Sequence, residues 1–400
     1  MSWWKDSLPS IMFHTEVEVK MKKLVLTKQA LITGEDALEY LETISYKKTV
    51  IVTGGHSMER NGVLERIKKI MKSDGDNVKV FAGIKKNPTI KQVNEGVAFL
   101  REENPDVVIA VGGGSAIDAA KAMVLFYEYP DINFDNVFSV NLEEKEIHTL
   151  LVAIPSTSGT ASEVTQVSVI TSEEDEYKYA IKTENIRPDI AIIDGTLPAT
   201  LPTSVAAETG MDALTHAIES YISKNGNDFT DALAKEAVEG IIEWLPKSVL
   251  EVTEESRSKM HNFQCMAGMA FSNSGLGMVH GIAHALGGKY DMAHGLANAI
   301  VLPYAMKYNK KDTQVAEKFD KLSLILGKDI IVIVEELKEM IGIPRALKEA
   351  GIQESTYQND FEFLLNNSMK GATPVNPIKV TKEDMAKMLN CIFYGTEVDF

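Results

Sequence analysis

An apolar run, Val107, Val108, Ile109, Ala110 and Val111, leads without a polar break into Gly112, Gly113 and Gly114 and then into the helix-forming segment SAIDAAKAM. A strand with no polar alternation is covered on both faces, which is the situation of a parallel sheet with helices on either side. The same strand, turn, helix cycle is read at KKTVIVTGG, which is followed by the helical period of HSMERNGVLERIKKIMK, and again at Val78 to Phe81, where Asn87-Pro88 precedes a helix. Two more apolar runs, LLVAI before the polar turn Pro155 to Glu163 and Ile190 to Ile193, complete an alternating α/β pattern.

Glycine after such a strand lets the backbone approach a phosphate, and the first amides of the next helix favour an anion. The turns Gly54, Gly55, His56, Ser57 and Gly112 to Ser115, with the polar turn holding Thr157, Ser158, Thr160 and Ser162, all follow strands. That is where an open α/β sheet receives a nucleotide. The spacing is not GxGxxG, so a standard Rossmann fingerprint is absent. Asn87, after the Val78 to Phe81 strand, is a further candidate cofactor contact.

Past IRPDIAIIDGTLPATLP the pattern changes to long Ala-, Glu- and Leu-rich helical periods, expected over Asp228 to Leu245, Arg257 to Met269, Thr313 to Leu326 and Lys382 to Phe393. The boundary is placed near 195 to 202, giving an α/β dinucleotide-binding domain over 1–198 and an all-helical domain over 199–400, as 400 residues exceed one core. In the helical half, His280 and His284 lie four apart, so one helix face carries both. Gly287, Gly288 and Asp291 are expected to break that helix and return His294 to the same place. Asp212 and His216 repeat the four-residue spacing upstream. Buried polar groups need partners, and a divalent cation with open coordination satisfies several at once; imidazole suits zinc, iron, copper or nickel. The Met-rich MAGMAFSNSGLGM reads as core packing, and His14, His148 and His261 read as surface or structural.

The net charge of -16 argues against nucleic acid and anionic membranes as partners. No apolar run approaches membrane-spanning length, the opening MSWWKDSLPS has no export signal, and Cys265 and Cys391 lack a CxxC spacing, all expected of a reducing cytoplasm.

The motifs VGGGSAIDAAKAM, IPSTSGTASEVT, GMDALTHAIES and FSNSGLGMVHGIAHALGGKYDMAHGLANAIVLP, with a weaker echo in ATPVNPIKVTKEDM, resemble the iron-dependent, or group III, alcohol dehydrogenases. The resemblance implies hydride transfer between NADP(H) or NAD(H) and a small alcohol or aldehyde, with Fe2+ or Zn2+ polarising the substrate oxygen in a homodimer. It further implies Asp212, His216, His280 and His294 as metal ligands. His284 is then an unligated catalytic neighbour that relays a proton. Gly113, Gly114, Ser115 and Asp118 match the pyrophosphate turn, Thr157 and Ser162 the nicotinamide ribose loop, and Lys178 in YKYAIK a cofactor-contacting lysine. The turn TGGHSMERNG lacks the Asp that would hold the ribose hydroxyls of NAD, and looks like the version in the NADPH-using butanol-dehydrogenase-like branch. Two other readings compete: a carbon-oxygen lyase of the dehydroquinate synthase type, which needs a Lys and Arg cluster that the histidine region lacks, and a non-catalytic nucleotide-binding assembly protein.

Overall fold

A computed structural model describes residues 23–142, 146–174 and 177–400. The expectations for His14 and for the first twenty-two residues lie outside the described residues. Eight strands are present among the described residues: β1 (Ala30–Gly34), β2 (Thr49–Thr53), β3 (Val78–Phe81), β4 (Val107–Gly112), β5 (Leu150–Pro155), β6 (Val167–Ser172), β7 (Tyr177–Lys182) and β8 (Ile190–Asp194). Six form one parallel sheet in the order β1-β8-β5-β4-β2-β3, and β6 and β7 pair as a separate antiparallel hairpin.

Every residue of β2, β4 and β8 is buried, and the alternating side chains of the first two divide between two layers. Val50, Val52, Val108 and Ala110 pack with α3 (Ile90–Glu103) and α4 (Gly114–Glu128), whereas Ile51, Ile109 and Val111 pack with the apolar face of α2 (Val63–Ile70). Each fully buried aliphatic side chain contributes on the order of 2 kcal/mol. Two-sided cover is why the apolar runs show no polar alternation. Thr89 and Gln92 form a capping box that starts α3 after Asn87-Pro88.

The helical half begins with α5 (Thr203–Ile222) and continues through α6 (Asp228–Leu250), α7 (Glu254–Ser274), α8 (Met278–Tyr290), α9 (His294–Asn309), α10 (Thr313–Leu326), α11 (Ile330–Met340), α12 (Glu354–Ser368) and α13 (Lys382–Tyr394). From Ala206 onward α5 is buried almost all round, as a helix at the centre of a domain must be. Asp212, His216 and Glu219 are therefore carried into the interior and need partners there.

Two expectations are corrected. The helix expected from His56 onward is interrupted by Gly62 at φ 72°, leaving the single turn α1 (Ser57–Arg60) before α2. Gly287 and Gly288 do not break α8, which runs to Tyr290 and ends where Asp291 takes the left-handed φ of 48°. Strands β1, β6 and β7 were not foreseen: β1 lies at the sheet edge, and the hairpin is polar on part of its surface. Among the described residues no helix is long and apolar enough to cross a membrane.

Candidate metal centre and cofactor cleft

Asp212 and His216 of α5, His280 of α8 and His294 of α9 meet in the helical half, where α5 also packs against Gly159 of the loop that follows β5. The Oδ1 atom of Asp212 lies 3.6 Å from His294 Nε2, 3.8 Å from His280 Nε2 and 3.9 Å from His216 Nε2. Ligands about 2.1 Å from one tetrahedral ion stand about 3.4 Å apart, close to this spacing. Asp212, His280 and His294 form the tightest group, with ligand atoms all within 4.8 Å of one another, and His216 lies at its margin.

The tautomer of His280 is set by its neighbour. Its Nδ1 lies 2.6 Å from Glu219 Oε2, so the ring donates there and keeps its Nε2 lone pair toward Asp212. Glu219 Oε1 also accepts from the Val279 amide at 2.8 Å. Burial holds His216, His280 and His294 below the ordinary imidazole pKa, with neighbouring imidazoles adding to the effect at His216 and His280. Neutral rings are the metal-binding form.

The donor set fits a cation better than it fits itself. Asn298 Nδ2 lies 2.6 Å from Asp212 Oδ1, 3.2 Å from His280 Nε2 and 3.1 Å from His294 Nε2. One amide with two hydrogens cannot serve three converging acceptors, and a divalent ion can. His216 is sandwiched flat between His280, at 4.6 Å, and Phe271, at 4.3 Å. His284 stands apart, stacked on His294 at 5.3 Å and edge-on to His280 at 6.1 Å, with its ring exposed in the cleft.

The glycine turns gather at one rim of the sheet. Strands β2, β4 and β5 are neighbours, and the chain reverses its direction of travel across the sheet between β2 and β4, the place where a crevice opens in such sheets. Gly112 has φ 148°, out of reach of an L side chain, and a Cβ on Gly114 would stand 2.5 Å from Thr160 Oγ1. These glycines let the polar loop after β5 close over the start of α4. A Cβ on Gly55 would meet nothing within 4 Å, and Gly55, His56 and Ser57 are exposed. The His56 ring is 3.3 Å from Glu59.

Lys178 of β7 donates to Asn87 Oδ1 at 3.1 Å, and Asn87 Nδ2 is 3.5 Å from Asp291, so hairpin, sheet loop and α8 meet at the cleft. Burial lowers the Lys178 pKa, with Lys86 adding to it against Asp291. Asp118 and Ser162 are engaged with each other: the Ser162 hydroxyl donates to Asp118, which also accepts from the Val169 amide at 3.0 Å. Beneath them buried Lys121 donates to Ser162 Oγ at 2.9 Å, Thr165 Oγ1 at 3.0 Å and the Val167 carbonyl at 2.9 Å. The loop is thereby tied to α4. From the other side α7 grips it: Ser158 Oγ is 3.0 Å from His261 Nδ1, His261 Nε2 is 3.1 Å from the Pro155 carbonyl, and Gln264 accepts from the Ala161 amide at 3.0 Å. His261 is thus structural and fully buried, while His148 is at the surface.

Sequence reasoning passed over Glu219, Asn298, Phe271, Lys121 and the His261-Gln264 pair. The signal existed for two of them. Glu219 is seven residues from Asp212 and three from His216, and Asn298 is four from His294, so both share a helix face with a named ligand.

Comparison with known proteins shows the family. Residues 28–195 match the family model for iron-containing alcohol dehydrogenase, and residues 206–393 that for the C-terminal part of the Fe-containing alcohol dehydrogenase family. The chain is 43% identical over 377 residues to the NADPH-dependent butanol dehydrogenase of Clostridium saccharobutylicum, covering 92% of this chain and 97% of that one. It is 32% identical over 382 residues to an alcohol dehydrogenase of Thermococcus barophilus, covering 92% and 98%. An iron-containing alcohol dehydrogenase structure from Thermococcus thioreducens superposes with a TM-score of 0.87 at 35% identity, covering 94% of this chain and 100% of that one. A 1,3-propanediol oxidoreductase structure gives 0.85 at 30%, with the same coverage. The chain belongs to the iron-containing alcohol dehydrogenase family. The lyase and assembly-protein readings gain nothing from these matches.

Proposed function

We propose that this chain is an NADP(H)-preferring, metal-dependent alcohol dehydrogenase and aldehyde reductase acting on small substrates. The observation that carries the reading is the convergence of three imidazole nitrogens on Asp212 Oδ1 beside a glycine-lined rim of a parallel sheet. When bound, nicotinamide supplies the hydride and a divalent ion, iron(II) or zinc, polarises the substrate oxygen.

Asp212, His216, His280 and His294 would hold the ion, and Glu219 holds His280 in the tautomer that can do so. Backbone amides at Gly113, Gly114 and Ser115 open α4 without a side-chain cap, which suits a pyrophosphate. Gly54, Gly55, His56 and Ser57 present no carboxylate of their own to a 2′-phosphate, and this supports the preference for NADP(H). Asp118 neighbours the pyrophosphate turn, Thr157, Ser158, Thr160 and Ser162 shape the nicotinamide end, and Lys178 and Asn87 close it. His284 is the imidazole exposed in the cleft, and among the described residues neither ring nitrogen has a hydrogen-bond partner, so either can take or give a proton. Division of the chain at 198/199 belongs to the same proposal, supported by β8 ending at Asp194 and α5 starting at Thr203. So do a homodimer, which rests on the family resemblance, and a cytoplasmic location, which rests on Cys265 and Cys391 lacking a CxxC spacing.

The test is oxidation of NADPH and of NADH against a panel of short aldehydes, with enzyme loaded separately with iron(II) and zinc. Metal-dependent turnover with NADPH favoured is expected. No aldehyde reduced with either nicotinamide would overturn the reading.

A further inference from the structure

A cavity of about 900 Å³ opens between α9, α11 and the C-terminal segment, and no residue of the metal centre or cofactor rim lines it. Lys338 of α11 lines it and is only 4% exposed. Among the described residues its Nζ has one hydrogen bond, a long one of 3.4 Å to the Ile300 carbonyl. The other two cations of the cavity are paired: Lys307 with Glu335 at 2.9 Å and Glu397 at 2.8 Å, and Arg345 with Glu397 at 3.6 Å. An ammonium with three N–H groups and one long acceptor is poorly satisfied. Burial accordingly lowers the Lys338 pKa to about 7, with Arg345 and Lys307 adding to it against Glu335 and Glu349. The amine therefore keeps a lone pair near neutrality.

The surroundings select among ligands. Five carboxylates line the cavity, so an anion is repelled overall, while Glu335 and Glu397 are already paired with the cations Lys307 and Arg345. A small neutral electrophile is what remains. Aldehydes are such molecules, and choosing them rests on the function proposed above.

We propose that Lys338 is an aldehyde-capture site, separate from the dehydrogenase centre, that forms a reversible imine with a small aldehyde. The Nζ lone pair adds to the carbonyl carbon, a C–N bond forms, and a proton moves from nitrogen to oxygen to give a carbinolamine. Its C–O bond then breaks, hydroxide leaves and becomes water with a proton from solvent, and a protonated imine remains. No oxidant or reductant takes part. The protonated imine carries a positive charge against burial, which Glu335 and Glu349 offset in part.

The test treats the intact full-length enzyme, without added nicotinamide, with butanal and sodium cyanoborohydride at pH 7, and maps butylated lysines by peptide mass spectrometry. Lys338 should be alkylated at least about tenfold faster than the exposed Lys91 and Lys382. Alkylation at or below their rate would overturn the proposal. Lys338→Arg should abolish this one adduct and leave the surface pattern intact; the same peptide gaining the same mass in that variant would also overturn it. The readout needs neither turnover nor metal, so a failed dehydrogenase assay and a failed capture assay are separate results.

Discussion

His261 joins the two halves of the molecule, and its removal should change how stability depends on pH. The ring is fully buried, donates through Nε2 to the Pro155 carbonyl at 3.1 Å, and accepts at Nδ1 from the Ser158 hydroxyl at 3.0 Å. Desolvation pushes its pKa down to about 4, against smaller opposing effects of that carbonyl and of Asp194. In the unfolded chain the value is about 6.5, so between the two values the unfolded state holds a proton that the folded state refuses. The stability associated with the neutral ring is fully present above about pH 6.5 and is lost as pH falls toward 4. At 1.36 kcal/mol for each pH unit, the loss is on the order of 3 kcal/mol over that window. His261→Gln removes the titration while leaving a hydrogen-bonding side chain, at a cost of about 1–2 kcal/mol at pH 8 for the altered contacts. Calorimetric unfolding of both proteins from pH 4 to pH 8 gives the difference curve, in which wild type should lose its advantage as pH falls. A difference that stays constant across the window would refute the reasoning.

Glu219→Ala leaves the His280 Nδ1 proton and the Val279 amide without their acceptor, and should weaken metal binding about 10–100-fold in competition with a chelator. Unchanged affinity would mean that His280 is oriented by packing alone. Gly55→Asp fits without a clash, since a Cβ there meets nothing within 4 Å, and its carboxylate should raise kcat/KM for NADH relative to NADPH about tenfold or more. An unchanged ratio would place the 2′-phosphate elsewhere. Although the His284 ring faces the open cleft, desolvation by the groups packed around it, then His294 and Lys178, lower its pKa, so the ring is neutral at ordinary assay pH. His284→Ala should keep its metal, lower kcat and alter the pH dependence of alcohol oxidation. An unchanged pH-rate profile would remove the relay role.

The buried parallel strands were legible because two-sided cover leaves a simple mark, an apolar run without alternation that ends in glycine. Val78–Phe81 and Thr313–Leu326 coincide with the elements read from the residues alone. The edge strand β1 and the β6-β7 hairpin carry mixed burial and so no such mark. Helix ends were harder. Gly287 and Gly288 lie within α8 because tertiary packing outweighs about 1 kcal/mol of propensity per glycine, and it is Asp291 in a left-handed conformation that ends it. In the site, four-residue spacing brought Asp212 with His216 and His280 with His284 to attention, and the expected chain reversal after α8 added His294. Among the supporting groups, Glu219 and Asn298 share a helix face with a named ligand, but Lys121 and His261 act through contacts 41 and 103 residues away in sequence. Local pattern does not reach that far.

The central claim is that Asp212, His216, His280 and His294 hold a catalytic divalent metal. It is tested most directly by the metal content of His280→Ala and Asp212→Ala, measured by elemental analysis after loading with iron(II) or zinc, with circular dichroism as the check on folding. One metal per chain in the wild type, and folded variants that retain little metal and no activity, is the expected result. Folded variants with full metal occupancy and undiminished turnover would contradict the assignment.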